Sequence, residues 1–144
     1  MPRPQTPALA ADAIIELLDF PGKPIVLIER KNPPPGWAIP GGFVDIGESV
    51  PDAAVREALE ETCLQVTLRC LLGVYSRPDR DPRGHTVSMI YVAQAHGKPV
   101  AADDAASVGI FDPASIPVPL AFDHEQILRD YREYRSTGVV PVIT

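Results

Sequence analysis

Between Gly41 and Leu64 the chain reads GGFVDIGESVPDAAVREALEETCL, and this stretch concentrates side chains that could do chemistry. A glycine turn leads to an isolated Glu48, then to Arg56, Glu57, Glu60 and Glu61 on a segment that reads as helix, because Ala, Leu, Arg and Glu dominate it. At 100° per residue Glu57 and Glu61 stand one turn apart with Glu60 beside them, while Val55, Leu59 and Thr62 fall on the opposite side. Three carboxylates on one arc repel one another. A helix needing only solubility would set each Glu against a Lys four residues on. A cation is therefore expected against this arc. With no His or Cys pair nearby, the donors suit a hard divalent ion, magnesium above all, with manganese able to take its place. Arg56 and Glu48 are expected to pair and hold the carboxylates in register; the plainer alternative is an exposed ion pair of little energetic value.

Around this stretch the composition sets limits. A chain of 144 residues makes one domain with a real core. A formal charge of −6 argues against nucleic acid as a partner, since such binders carry a basic footprint. An acidic protein that handles phosphate needs a metal or a few placed arginines. Cys63 and Cys70 form no close metal-binding pair, and two thiols without a secretory signal suggest a reducing, cytoplasmic compartment. Asp12 and Glu16 interrupt the most apolar N-terminal stretch, so no membrane span is expected.

The elements that must position the carboxylates follow in order. Residues 1–7 are proline-rich and read as a mobile tail. The run ALAADAIIELLDF could be helix by propensity, but the Pro21-Gly22 turn after it suits a strand paired with Ile25 to Glu29. Three consecutive prolines make Lys31 to Pro40 an ordered loop, in which Trp37 is either a core anchor or a wall of a substrate pocket. Val66 to Ser76 and Thr86 to Ala95 are β-branched or aromatic enough to be strands. The charged, proline-stiffened loop Arg77 to His85 between them is either a binding loop or a solvated tip. After a short run from Val108 to Phe111 and an extended proline-rich connection, Asp123 to Tyr134 reads as a helix with Asp123 as N-cap. One α/β domain of the α+β type is expected, a mixed sheet sandwiched between two helices.

The order of residues in the first stretch says more than its composition. From Gly42, five residues lead to Glu48 and seven more to Arg56-Glu57, followed by Ala58, Leu59, Glu60-Glu61, Thr62, Cys63 and Leu64. This resembles the signature box of the Nudix hydrolases, which cleave a nucleoside diphosphate linked to another group. Cys63 stands where that box has glycine. The resemblance implies metal held by Glu57, Glu60 and Glu61 together with the backbone carbonyl of Gly41, and catalytic parts for Glu48 and Arg56. VYSRPDRDPRGHTVSMIY and LAFDH are similar to segments of ADP-ribose pyrophosphatases, which implies ADP-ribose hydrolysis to AMP and ribose 5-phosphate. Arg30 and Arg80 are the candidates for gripping phosphate or ribose, since arginine's fork suits phosphate. Many such relatives carry a glutamate base in the late loop. Here Ser107 takes that place, with Asp103 and Asp104 the nearest acids and Glu60 the other possible base. The competing readings are a nucleoside triphosphate hydrolase and a non-catalytic nucleotide-binding module. The implied partner is a small nucleoside diphosphate, and similar pyrophosphatases suggest a homodimer.

Overall fold

A computed structural model describes residues 2–102 and 105–143. The elements run β1 (Ala8–Leu17), β2 (Ile25–Arg30), β3 (Trp37–Ala38), β4 (Gly41–Phe43), α1 (Val50–Thr62), β5 (Thr67–Tyr75), β6 (Thr86–Ala95), β7 (Ala105–Phe111) and α2 (His124–Thr137). All seven strands form one sheet, with β3-β2-β1-β6-β5 as its path, β4 beside β1 and β7 beside β2. The β1–β6 pair is parallel and the other pairs are antiparallel, so the sheet is mixed as expected.

Within the run ALAADAIIELLDF, Ala8–Leu17 is strand because the sheet buries both its faces. Successive side chains of a strand point to opposite sides. Ile14 joins Ile25, Leu27, Leu72 and Ile90 in a core with Ile127, Leu128 and Tyr131 of α2. Ala13, Ile15 and Leu17 join Val26 and Ala93 against Ala58 of α1 on the other side. A strand covered on both faces reads as a continuous apolar run, which resembles a helix in composition. The expected β1–β2 hairpin is reduced to a single registered pair, Glu16 with Ile25. Its place is taken by ten parallel pairs from Ala8–Thr86 to Leu17–Ala95, and by β4, which pairs Gly41 with Asp12.

Helix α1 starts where Ser49 accepts a hydrogen bond from the Asp52 N–H, and it ends at Cys63, whose φ of 60° is left-handed. Its buried residues are Ala53, Ala54, Ala58, Glu61 and Thr62. This corrects the expected apolar face: Leu59 is 46 % exposed, and alanines let the helix lie close to the sheet. At the start of α2 Asp123 occupies the N-cap position without a side-chain capping bond, because Arg80 takes its carboxylate. No helix among the described residues is long and apolar enough to cross a membrane.

Candidate active site

The glycine pair that opens β4 is needed for space. A Cβ on Gly41 would stand 1.8 Å from the Asp12 Oδ1, and one on Gly42 would stand 2.6 Å from the Glu57 carboxyl carbon. No larger residue could leave both carboxylates where they are. The backbone N–H of Gly41 also donates to Glu61 Oε1 at 2.7 Å, which ties the last turn of α1 to the strand. Asp12, Glu57 and Glu61 thus converge on one cavity of about 340 Å³, whose rim includes Arg30, Arg83 and Phe122.

Arg56 organises the outer side of this helix. Its Nε and NH2 donate to both oxygens of Glu48 at 2.7 and 3.0 Å, its NH1 donates to Glu57 at 2.9 Å and to Glu60 at 3.2 Å, and NH2 also reaches the Phe43 carbonyl at 3.1 Å. The Glu48 bond in particular raises the arginine's already high pKa, and the same bond lowers that of Glu48. The expected Glu48–Arg56 pair is present, and it is bidentate and shared with two further carboxylates. Glu60 differs from the expectation for a cavity ligand. Its side chain is 43 % exposed, turns to Arg56, and does not line the cavity. The three glutamates face different ways because Glu61 packs under β4 while Glu60 faces solvent.

Asp12, which in the sequence stands out only as an interruption of an apolar run, lies at the floor of the cavity. A lone acid in a strand that is otherwise buried was the signal available. Burial, above all, pushes its carboxyl up to about 8; Arg80 opposes the shift and Glu57 adds to it. Beside it, His124 accepts the Ile39 N–H on Nδ1 at 3.0 Å, so the neutral ring carries its proton on Nε2, 3.8 Å from Asp12 Oδ2. Burial holds this imidazole down to about 4, outweighing the nearby Asp123 carboxylate. Both groups are therefore neutral near pH 7.

Two expected substrate contacts are placed differently. Arg80 is buried, with bidentate bonds to Asp123 at 2.9 and 2.7 Å and further bonds to Ser88 Oγ at 2.7 Å and the Thr86 carbonyl at 3.3 Å. It borders the cavity with its guanidinium already engaged, so it braces the loop against α2. Trp37 packs edge-on against Phe111 at 5.3 Å and contributes to the core beside the sheet; it is not among the cavity's lining residues. Arg30 does reach the cavity, with its Nε donating to the Pro34 carbonyl at 2.9 Å. Ser107 donates to Glu29 at 3.0 Å, and Asp103 and Asp104 lie outside the described residues.

Among the described residues no three His, Cys, Asp or Glu side chains stand close enough together to hold a metal ion as they are. The donor chemistry nevertheless fits one. Glu57 and Glu61 offer only oxygen to a polar cavity, and the nearby His124 nitrogen is taken by Ile39, which suits a hard divalent cation.

A mixed sheet between two helices, with a glycine-flanked helical carboxylate cluster opening on a polar cavity, defines the Nudix architecture. The chain belongs to the Nudix hydrolase family: residues 7–131 match the NUDIX domain model. It is 47 % identical over 133 residues to an ADP-ribose pyrophosphatase of Methanocaldococcus jannaschii, an alignment that spans 90 % of this chain and 76 % of that protein. A Bacillus subtilis protein provisionally named an 8-oxo-dGTP diphosphatase is 34 % identical over 110 residues, or 75 % of this chain and 70 % of its own. Among solved structures, the Nudix domain of Shewanella oneidensis NrtR complexed with ADP-ribose superimposes with a TM-score of 0.78 at 27 % identity, covering 92 % of this chain and 90 % of that one. Hydrolases of this family generally need a divalent metal.

Proposed function

We propose that this protein hydrolyses ADP-ribose, adding water across the diphosphate to release AMP and ribose 5-phosphate. The observation that carries the reading is the 47 % identity, over nine-tenths of the chain, to a protein named for that activity. The geometry supports it: a cavity with carboxylates at its floor and arginines at its rim suits a diphosphate only if a metal lies between them. Glu57 and Glu61, with the Gly41 carbonyl, are the proposed ligands, and magnesium the proposed ion. When bound, such an ion neutralises diphosphate charge and lowers the pKa of water at the site.

The chain's own residues set the geometry. Gly41 and Gly42 leave room for two carboxylates, the Gly41 N–H orients Glu61, and Arg56 holds Glu57 and Glu48 from the solvent side. Arg30, which lines the cavity, is the residue proposed to meet negative charge there. Glu60 acts through Arg56 in this arrangement.

Incubating the protein and magnesium with ADP-ribose, other nucleoside diphosphate sugars and 8-oxo-dGTP, then separating products by chromatography, tests the reading. AMP and ribose 5-phosphate in equal amounts are expected. Pyrophosphate release from the triphosphate alone would replace the substrate, and binding without products would replace the activity.

A further inference from the structure

The chain changes partner at Ile39. Trp37 and Ala38 pair with β2, whereas Gly41, Gly42 and Phe43 pair with β1, so residues 39–40 carry the strand from one neighbour to the other. What fixes this crossing decides where Gly41 points. Pro40 has no N–H to give, and its carbonyl accepts from the Ala13 N–H at 2.9 Å. The other backbone handle is the N–H of Ile39, a buried residue.

Residues 119–121 run parallel to β3. The Trp37 N–H donates to the Pro119 carbonyl at 2.9 Å and the Ala121 N–H returns to the Trp37 carbonyl at 2.8 Å, with Leu120 opposite Trp37. A parallel ladder continued by one step would bring the Ile39 N–H to the Ala121 carbonyl. That carbonyl is already used, because Phe122 turns the chain at φ 55° and the His124 N–H closes back on Ala121 at 3.2 Å to open α2. A buried N–H still needs an acceptor. His124 supplies it from its side chain: Nδ1 accepts the Ile39 N–H at 3.0 Å, one strand step beyond the last backbone bond. The ring is buried and held in place by Phe122, at 5.2 Å between ring centres, and by Asp12, whose Oδ2 lies 3.8 Å from Nε2. Two residues after Ile39, Gly41 sends its N–H to Glu61. A strand residue's carbonyl points to the same side as its N–H, so the Gly41 carbonyl is turned toward the carboxylates of α1.

We infer that His124 is a positioning residue for the metal: its Nδ1 stands in for a missing strand partner, locks the β3–β4 crossing and thereby sets the aim of the Gly41 carbonyl, without touching ion or substrate. This rests on the reading of Gly41, Glu57 and Glu61 as metal ligands, and it extends the site to the first residue of α2. An acceptor on a rigid ring suits the task, because the ring cannot follow the strand if the crossing shifts.

Manganese alone, titrated into the protein without nucleotide and followed by the paramagnetic resonance of the free ion, tests this at a temperature where melts show each variant folded. His124→Leu removes the acceptor and should weaken manganese binding by about tenfold or more, as when a ligand loses the partner that orients it. His124→Asn returns an oxygen near the place of Nδ1 and should recover most of the affinity, although it fills less space and should melt lower than wild type. A residue that only filled space would give no such recovery. His124→Gln, whose amide lies one bond further out, serves if His124→Leu does not fold, and should bind manganese as weakly. Manganese binding unchanged in His124→Leu, equal losses in the Leu and Asn variants, or a wild-type protein that binds no manganese would each overturn the positioning role. The substrate reading fails separately. Manganese affinity that depends on His124 in a protein that leaves ADP-ribose intact removes the activity and keeps the positioning role; ADP-ribose turnover with manganese binding indifferent to His124 does the reverse.

Discussion

Glu61 meets two demands with one carboxylate: Oε1 takes the Gly41 N–H, while the group as a whole faces the cavity. A glutamine there still offers an amide oxygen to Gly41 but carries no charge. Glu61→Gln is therefore expected to fold normally, by circular dichroism, and to lose at least about a hundredfold in turnover at saturating magnesium. Near-wild-type turnover would remove Glu61 from the metal site. Two residues on, Cys63 has the left-handed backbone expected for a residue that closes this helix, at φ 60°, and its side chain is exposed. Relieving the Cβ clash is worth roughly 1 to 2 kcal/mol, and the freedom glycine adds to the unfolded chain takes back roughly 0.4 to 1 kcal/mol. An exposed thiol leaves no cavity behind. Cys63→Gly should thus raise stability by up to about 1.6 kcal/mol in denaturant melts, without changing turnover. A less stable variant would mean that the thiol is packed.

Between elements, buried Arg80 and the partly exposed Asp123 form an ion pair that fastens the loop between β5 and β6 to the first turn of α2. Removing the arginine leaves the Thr86 carbonyl and the buried Ser88 hydroxyl without their donor and the Asp123 carboxylate, a quarter exposed, without its ion pair, at a cost of about 1 to 3 kcal/mol. Arg80→Ala should therefore lower the melting temperature well before any change in KM is considered, the reverse of what a solvent-facing phosphate grip would give. An unshifted melting temperature would contradict this bracing role. The sequence carried the elements better than their contacts. Strand β6 and most of β5 were legible because β-branched and aromatic residues cluster there and turns bound them, and α1 because of its helix formers. The short strands β3 and β4 were not, since two or three residues carry no periodicity and exist only through their partners. Within the site, Glu57, Glu61 and the glycine pair were readable from spacing. Asp12, His124 and Arg83 were not, because each joins the cavity from a strand, helix or loop whose distance in sequence says nothing of its distance in space.

Across the whole molecule, the neutral Asp12–His124 pair makes stability depend on pH in opposite directions. Asp12 has a folded pKa raised to about 8, so the stability it contributes is greatest below its ordinary value near 3.8 and is lost as pH rises toward 8. His124 has a folded pKa lowered to about 4, so its contribution is full above 6.5 and is lost as pH falls toward 4. Between about 4 and 6.5 the two slopes cancel, and above 6.5 only that of Asp12 remains. Metal-free protein should lose stability from pH 6.5 to 8 in denaturant melts, and Asp12→Asn should flatten that decline; a wild-type profile level through this range would exclude a protonated Asp12. The parallel β1–β6 ladder has a different consequence, for the order of assembly during synthesis. Gln94 lies 78 residues beyond the Glu16 it pairs with, so β1 leaves the ribosome well before its main partner exists. Contacts so distant in sequence form slowly and leave apolar surface open meanwhile. Helix α1 can form early, but Glu57 and Glu61 acquire their aim only when β4 settles on β1. A fragment ending at residue 85 should accordingly remain unfolded and bind hydrophobic dye, although it carries every residue of the glycine–glutamate box; catalytic competence would then arrive only with the closing of the sheet's centre.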